Sequence, residues 1–175
     1  MMFGDVTDEA TAARIIARSR DAGINFLDTA NAYSLGASEE IVGRSIAQGR
    51  DFWVLATKVA QPMGKGPHDR GLSRKHIWQS VDASLRRLRT DYIDILYLHR
   101  EDIETPLEET VLALADLVRQ GKIRYVGLSN FRAWRIAEFC AISDRSGIGR
   151  PVVCQPYYNL LNRQPEVEVL PCCKY

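Results

Sequence analysis

At 175 residues, with 46% hydrophobic residues and a formal net charge of +1, the chain has the length and apolar content of one domain, residues 1–175, with a substantial core, and it carries no global field that would draw it to nucleic acid or to an anionic membrane. No apolar stretch approaches the ~20 residues of a membrane span, and Met1 to Asp5 lack the basic and apolar regions of a signal peptide. The four cysteines show neither Cys-x-x-Cys nor Cys/His zinc spacing, and two, Cys172 and Cys173, are adjacent, which suits a reducing compartment; a soluble, cytoplasmic protein is expected.

In chain order, Thr7 with Asp8 and Glu9 in the first turn predicts a helix that closes at Gly23. The short apolar run Asn25–Asp28 follows, then a helix opened by Ser38 that ends near Gly49, then the run Phe52–Lys58. Ala60 to Leu72 is irregular, with Pro62, Gly64, Gly66, Pro67 and Gly71; directly after Lys58, it reads as a wall of a substrate site rather than a linker, a plain surface loop being the alternative. Ser73 opens a helix whose Ile77, Val81, Leu85 and Leu88 form one stripe, and the run Ile93–His99 comes next. Thr105, Pro106 and Glu108 offer an N-cap, a proline at the first helical position and a capping-box glutamate ahead of Leu107, Val111, Leu114 and Val118, with Gly121 as the stop. Val126–Asn130, a helix from Arg132 to Ser146, and Val152–Gln155 complete the alternation.

Five apolar runs separated by helices are what a parallel sheet shielded on both faces requires. An open doubly wound sheet binds its ligand beside a glycine-rich turn, but no G-x-G-x-x-G occurs, and Gly64-Lys65-Gly66 is not followed by a helix at the right distance. Polar residues at five consecutive strand ends favour a closed α/β barrel, whose active sites lie on the rim formed by the carboxyl ends of its strands. Five runs are too few for closure, since such a barrel typically takes roughly 250 residues.

That rim would gather Asp28, Lys58, His99, Ser129, Asn130 and Gln155. Singly, each has a bland reading: Asp28 as a cap, Tyr33 as packing, His99 as a satisfied structural histidine, Asn130 as the start of the next helix. Lys58 alters the balance, because a lysine ending an apolar strand is costly without an anion, and Asp28 is the nearest candidate. A cation beside the Tyr33 phenol would stabilise phenolate and make Tyr33 a usable general acid or base. His99 would then donate to, or orient, a substrate oxygen, while Ser129, Asn130 and Gln155 supply neutral donors and acceptors suited to a carboxamide or a sugar. A metal-dependent hydrolase would need more ligands at strand ends than His99, and a glycosidase would need a carboxylate opposing Asp28, with only Glu101 near. His68 and His76 are expected to be solvated, and Trp53, Trp78 and Trp134 to be core or wall residues.

These residues closely resemble the aldo-keto reductase superfamily. The D-T-A-x-x-Y segment from Asp28 to Tyr33, Thr57-Lys58, Tyr97-Leu98-His99, Gly127-Leu128-Ser129-Asn130 and Gln155-Pro156-Tyr157-Tyr158-Asn159 match its motifs in order, and Tyr157 to Arg163 is most similar to the bacterial and potassium-channel β-subunit-like branch. The resemblance implies a (β/α)8 TIM barrel that binds NADPH without a separate dinucleotide-binding domain and reduces aldehydes and ketones. It implies Tyr33 as proton donor, Lys58 and Asp28 as the groups that tune it, and His99 as the orienting group for the carbonyl. Ser129, Asn130 and Gln155 would hold the nicotinamide carboxamide. A non-catalytic or regulatory cofactor-binding member and an inactive remnant are the alternatives. Against the family pattern, Met1 to Gly4 reads as the tail of strand one, the chain runs to strand six, and strands seven and eight, with their phosphate-gripping loops, are expected to be absent. The helix after strand six would be starting at Tyr175.

Overall fold

The computed structural model describes residues 2–175. Five strands, β1 (Phe26–Asp28), β2 (Val54–Val59), β3 (Ile93–Leu98), β4 (Ile123–Ser129) and β5 (Val153–Gln155), form one parallel sheet whose spatial order is the chain order. Between and after them lie α1 (Glu9–Asp21), α2 (Ala37–Ile46), α3 (Arg74–Leu88), α4 (Leu107–Arg119), α5 (Ala133–Ser146) and α6 (Val169–Lys174), each helix packed on the next from α1 to α5 and α5 on α6. Among the described residues no helix is long and apolar enough to cross a membrane.

The sheet is curled into part of a barrel. In a flat sheet β1 and β5 would stand roughly 19 Å apart, four steps of ~4.8 Å, yet Gln155 Nε2 on β5 donates to Asp28 Oδ2 on β1 at 3.1 Å. Alternation along β2 explains the two core layers. Leu55 faces outward into a large cluster with Ile77, Val81, Leu96, Leu114, Leu128 and Phe139, which seals the helices to the sheet. Ala56 faces inward into a small layer with Ile95 and Tyr97. Gly127 is required beneath that layer, since a Cβ there would stand 2.6 Å from the Tyr97 ring.

The local signals differ from expectation in instructive places. Asp8, not Thr7, caps α1 by accepting from Thr11 N at 2.7 Å. Thr7 is used in a tight turn instead: where the tail of a first strand is expected, Phe3 bridges to Thr7, and Gly4 N and Thr7 N bond within the turn, Met1 lying outside the described residues. Before α4 the Thr105 hydroxyl donates to Asp102 Oδ2 at 2.7 Å, so Pro106 occupies the cap position and the capping box with Glu108 does not form. Ser73 caps α3 as expected, and Gly121 follows α4 with φ 72°.

β1 and β5 each have one edge without a backbone partner among the described residues, and Phe26 and Val152 are exposed beside them. Unpaired edges next to apolar surface template association. A polypeptide consisting of these 175 residues alone is therefore expected to self-associate in sedimentation velocity; a monodisperse monomer would contradict this.

Candidate active site

The β1–β2 and β2–β3 registers set Asp28 opposite Ala56 and Lys58 opposite Tyr97, so the ends of three strands lie side by side. Lys58 points inward, and its side chain has 0% exposure. Its ammonium donates to Asp28 Oδ1 and Oδ2 at 2.8 and 2.7 Å, to the Thr29 carbonyl at 2.9 Å and to the Tyr33 hydroxyl oxygen at 3.2 Å. This answers the cost of burying a lysine: a carboxylate and two further oxygens replace its hydration shell.

Tyr33 is delivered by an unusual turn. Ser34 and Leu35 both take left-handed conformations, at φ 49° and 52°, which non-glycine residues rarely adopt. The turn is held by the Ser34 hydroxyl donating to Phe3 O at 2.9 Å and leads into α2 at Ala37. Strain of this kind persists only where surrounding structure over-determines it.

His99 follows β3, its N–H donating to Val59 O at 2.8 Å and its ring edge-on to Tyr33 at 5.7 Å. Burial, and then the Lys58 charge, push its pKa down from 6.5 to about 4, with Asp28 opposing. His99 is thus a neutral imidazole at physiological pH, able to donate one N–H. Nδ1 is buried without a partner. Tyr97 also presents its ring to Lys58, at 5.6 Å, but burial and the Asp28 charge push its hydroxyl up to about 12.

The neutral groups complete the rim. Ser129 Oγ donates to Gln155 O at 2.9 Å, and Asn130, left-handed at φ 57°, donates through Nδ2 to His99 O and Ser129 Oγ, both at 3.1 Å. With Gln155 Nε2 on Asp28, all seven residues picked out in the sequence belong to one connected network. Neither Asn130 Oδ1 nor Gln155 Oε1 takes part in a hydrogen bond among the described residues, so two amide oxygens remain as acceptors on the rim. The loop from Ala60 to Leu72 is tied to the loop after β3 by Leu72 N donating to Asp102 Oδ2 at 2.7 Å, and the two loops border a cavity of about 520 Å³ whose lining includes His68, Arg70, Arg100 and Glu101.

Other placements correct the sequence reading. His76 is buried at 3% exposure, not solvated, and burial lowers its pKa. Trp134, expected in the core or a wall, is 53% exposed and lies under the Arg132 and Arg135 guanidiniums. Glu101, the one other carboxylate expected near the rim, accepts from Arg132 through N, Nε and Nη2. Ser38 is a residue of α2 whose hydroxyl turns to Thr29 instead of capping the helix. Sequence reasoning overlooked Thr29, Glu39, Thr57 and Arg87, whose only signal was their position beside Asp28 and Lys58 or on a helix facing them.

The lowered His99 pKa predicts an acid sensitivity. Between pH 6.5 and about 4 the unfolded chain takes up a proton at His99 that the folded chain refuses, so stability falls as pH drops through that window and this group has no effect above it. Urea midpoints should decline across that window, less steeply in His99→Asn; equal slopes would dissociate His99 from the decline.

Comparison with known proteins places the chain in a family. The model of the Aldo/keto reductase family matches residues 1–175. A "Probable voltage-gated potassium channel subunit beta" of Arabidopsis thaliana is 43% identical over 173 residues, covering 97% of this chain and 52% of that protein. An "Uncharacterized oxidoreductase YrpG" of Bacillus subtilis (strain 168) is 42% identical over 185 residues, 99% of this chain and 57% of its own length. A "Versiconal hemiacetal acetate reductase" of Aspergillus parasiticus is 38% identical over 190 residues, 97% and 55% respectively. The chain spans about half the length of the curated relatives it matches, and its five-stranded sheet is the corresponding part of a (β/α)8 barrel. With the family's model matched from end to end, this chain belongs to the aldo/keto reductase family, an oxidoreductase family that generally uses NAD(P)(H).

Proposed function

We propose that the protein reduces aldehydes or ketones to alcohols with NADPH, Tyr33 giving the proton to the carbonyl oxygen. One observation carries the reading: a fully buried ammonium, Lys58, held between the Asp28 carboxylate and the Tyr33 hydroxyl. That ammonium stabilises the phenolate left after proton transfer, while Asp28 balances the cation. Neutral His99 is placed beside Tyr33 to donate an N–H to the same carbonyl oxygen, fixing which lone pair faces the phenol. When bound, a nicotinamide cofactor would supply the hydride for the carbonyl carbon. Its carboxamide fits the rim chemically, because the NH2 group can donate to Asn130 Oδ1 and Gln155 Oε1, and Ser129 steadies both residues. Residues 1–175 belong to a single barrel domain on this reading, and the four free thiols suit a cytoplasmic setting.

The test is NADPH consumption by the purified full-length protein against a panel of aromatic and aliphatic aldehydes and ketones. The reading fails if no substrate accelerates consumption above the rate without substrate. Similarity to a relative named as a channel β-subunit favours one second reading, cofactor binding without appreciable turnover. It predicts tight NADPH binding by fluorescence together with a negative panel.

A further inference from the structure

We propose that Ser38 and Glu39, consecutive residues at the start of α2, are positioning residues that hold the ends of β1 and β2 so that Lys58 stays between Asp28 and Tyr33. The proposal rests on the acid–base reading of that cluster. Thr29 directly follows Asp28, and its hydroxyl hydrogen-bonds Ser38 Oγ at 2.9 Å; Thr57 directly precedes Lys58, and its hydroxyl donates to Glu39 Oε1 at 2.5 Å. All four of these side chains are buried. Because alternate residues of a strand face opposite sides, Thr57 points out to the helices while Lys58 points in to the mouth. One helical turn thus grips, from behind, the residues next to both charged groups.

The grip acts where β1 loses its ladder to β2, although β2 itself stays paired with β3 as far as Val59 opposite Leu98. The β1–β2 ladder ends at Asp28 opposite Ala56, and beyond it the backbone bonds that join the two segments among the described residues are Thr29 N to Ala56 O, at 2.9 Å, and Asn31 N to Lys58 O, at 3.2 Å. The Thr29 carbonyl is itself an acceptor for the Lys58 ammonium, so a displacement of Thr29 moves one of its oxygens directly.

Docking a helix would not call for such an arrangement. A buried carboxylate needs a counter-charge, and Arg87 on α3 supplies it, Nε donating to Glu39 Oε2 at 2.6 Å. Gly36 makes room for that side chain, since a Cβ there would meet Arg87 Cδ at 2.8 Å, while Gly43 lets the α2 and α3 backbones approach, a Cβ there meeting Arg87 O at 2.6 Å. Apolar side chains of similar volume generally stabilise a core as well as a buried ion pair does, or better. What the ionic arrangement adds is direction, a fixed acceptor for the Thr57 hydroxyl.

Thr57→Val in the full-length protein tests this, since it keeps the shape and removes the hydroxyl. The groups facing Tyr33 are Asp28 from β1, Lys58 from β2 and His99 after β3, and only the Lys58 contact should loosen. The expected result is a fall in kcat on the order of 10-fold, in line with the sensitivity of such steps to sub-ångström misplacement, with the KM for NADPH unchanged. The rising limb of the pH profile for alcohol oxidation should move to higher pH, because a receding cation favours phenolate less. Thr57→Ser should restore both. A variant that loses only thermal stability, with kcat and pH profile as in wild type, overturns the proposal. Titration of phenolate absorbance, each protein referenced to its Tyr33→Phe counterpart, reads the same contact without turnover. If the wild-type protein reduces no carbonyl, the functional reading fails and this titration alone decides: coincident curves for wild type and Thr57→Val refute the positioning role.

Discussion

On the proposed function, Tyr33→Phe is expected to lower carbonyl reduction by ~10²-fold or more, the usual contribution of a positioned acid, and to leave NADPH affinity nearly unchanged. The substitution deletes the transferable proton and little else. The phenyl ring retains its edge-on contact with His99, and Lys58 keeps both Asp28 oxygens and the Thr29 carbonyl. The loss therefore belongs to kcat, and it should be measured where chemistry limits the rate, as single-turnover decay of NADPH absorbance. Tyr97→Phe is the matched control: a hydroxyl pushed up to about 12 exchanges no proton near neutrality, so that variant should turn over at close to the wild-type rate. Full activity in Tyr33→Phe, or collapse only in Tyr97→Phe, would move the acid to another group.

Asp28→Asn should cost the most stability of any single change at the site. It leaves the Lys58 ammonium, at 0% exposure, with a carbonyl and a phenol but no anion. Breaking a buried pair from one side destabilises by about 3–5 kcal/mol; because the Asp28 side chain is 29% exposed and water can partly take its place, the lower end, about 3 kcal/mol, is expected here. The double variant Asp28→Asn/Lys58→Met removes both charges and should recover a large part of that loss. Urea denaturation of the four proteins in the cycle gives the coupling. If the double variant is as unstable as the sum of the singles, the two charges are not coupled in the folded state and the description of Lys58 above is wrong.

Much of this was legible in the residues. Apolar runs between amphipathic helices announce a buried parallel sheet, and the cost of ending β2 on a lysine points to Asp28 before any coordinates are consulted. Glu39 was not legible, because an acidic residue in the first turn of a helix is also what the helix dipole favours at a surface; only the burial of Thr57 behind Lys58 separates the two cases. His76 was misjudged because the loop after β2 folds back over α3, and Thr105 because Asp102 outcompeted the capping box for its hydroxyl. The Gln155–Asp28 bond spans 127 residues and depends on how far the sheet curls, which no local pattern encodes.

The coincidence of spatial and chain order also bears on how the chain folds. Each strand pairs with the one made just before it, so structure can propagate in chain order during synthesis, each step closing one helix-containing crossover. Asp28, Tyr33 and Lys58 can meet once β2 is laid down, whereas Gln155 reaches Asp28 only after β5 has docked. The cluster of Asp28, Tyr33 and Lys58 would then be an early product of folding and the rim of Ser129, Asn130 and Gln155 a late one. Pulsed hydrogen exchange should accordingly protect the β1–β2 amides before those of β4–β5.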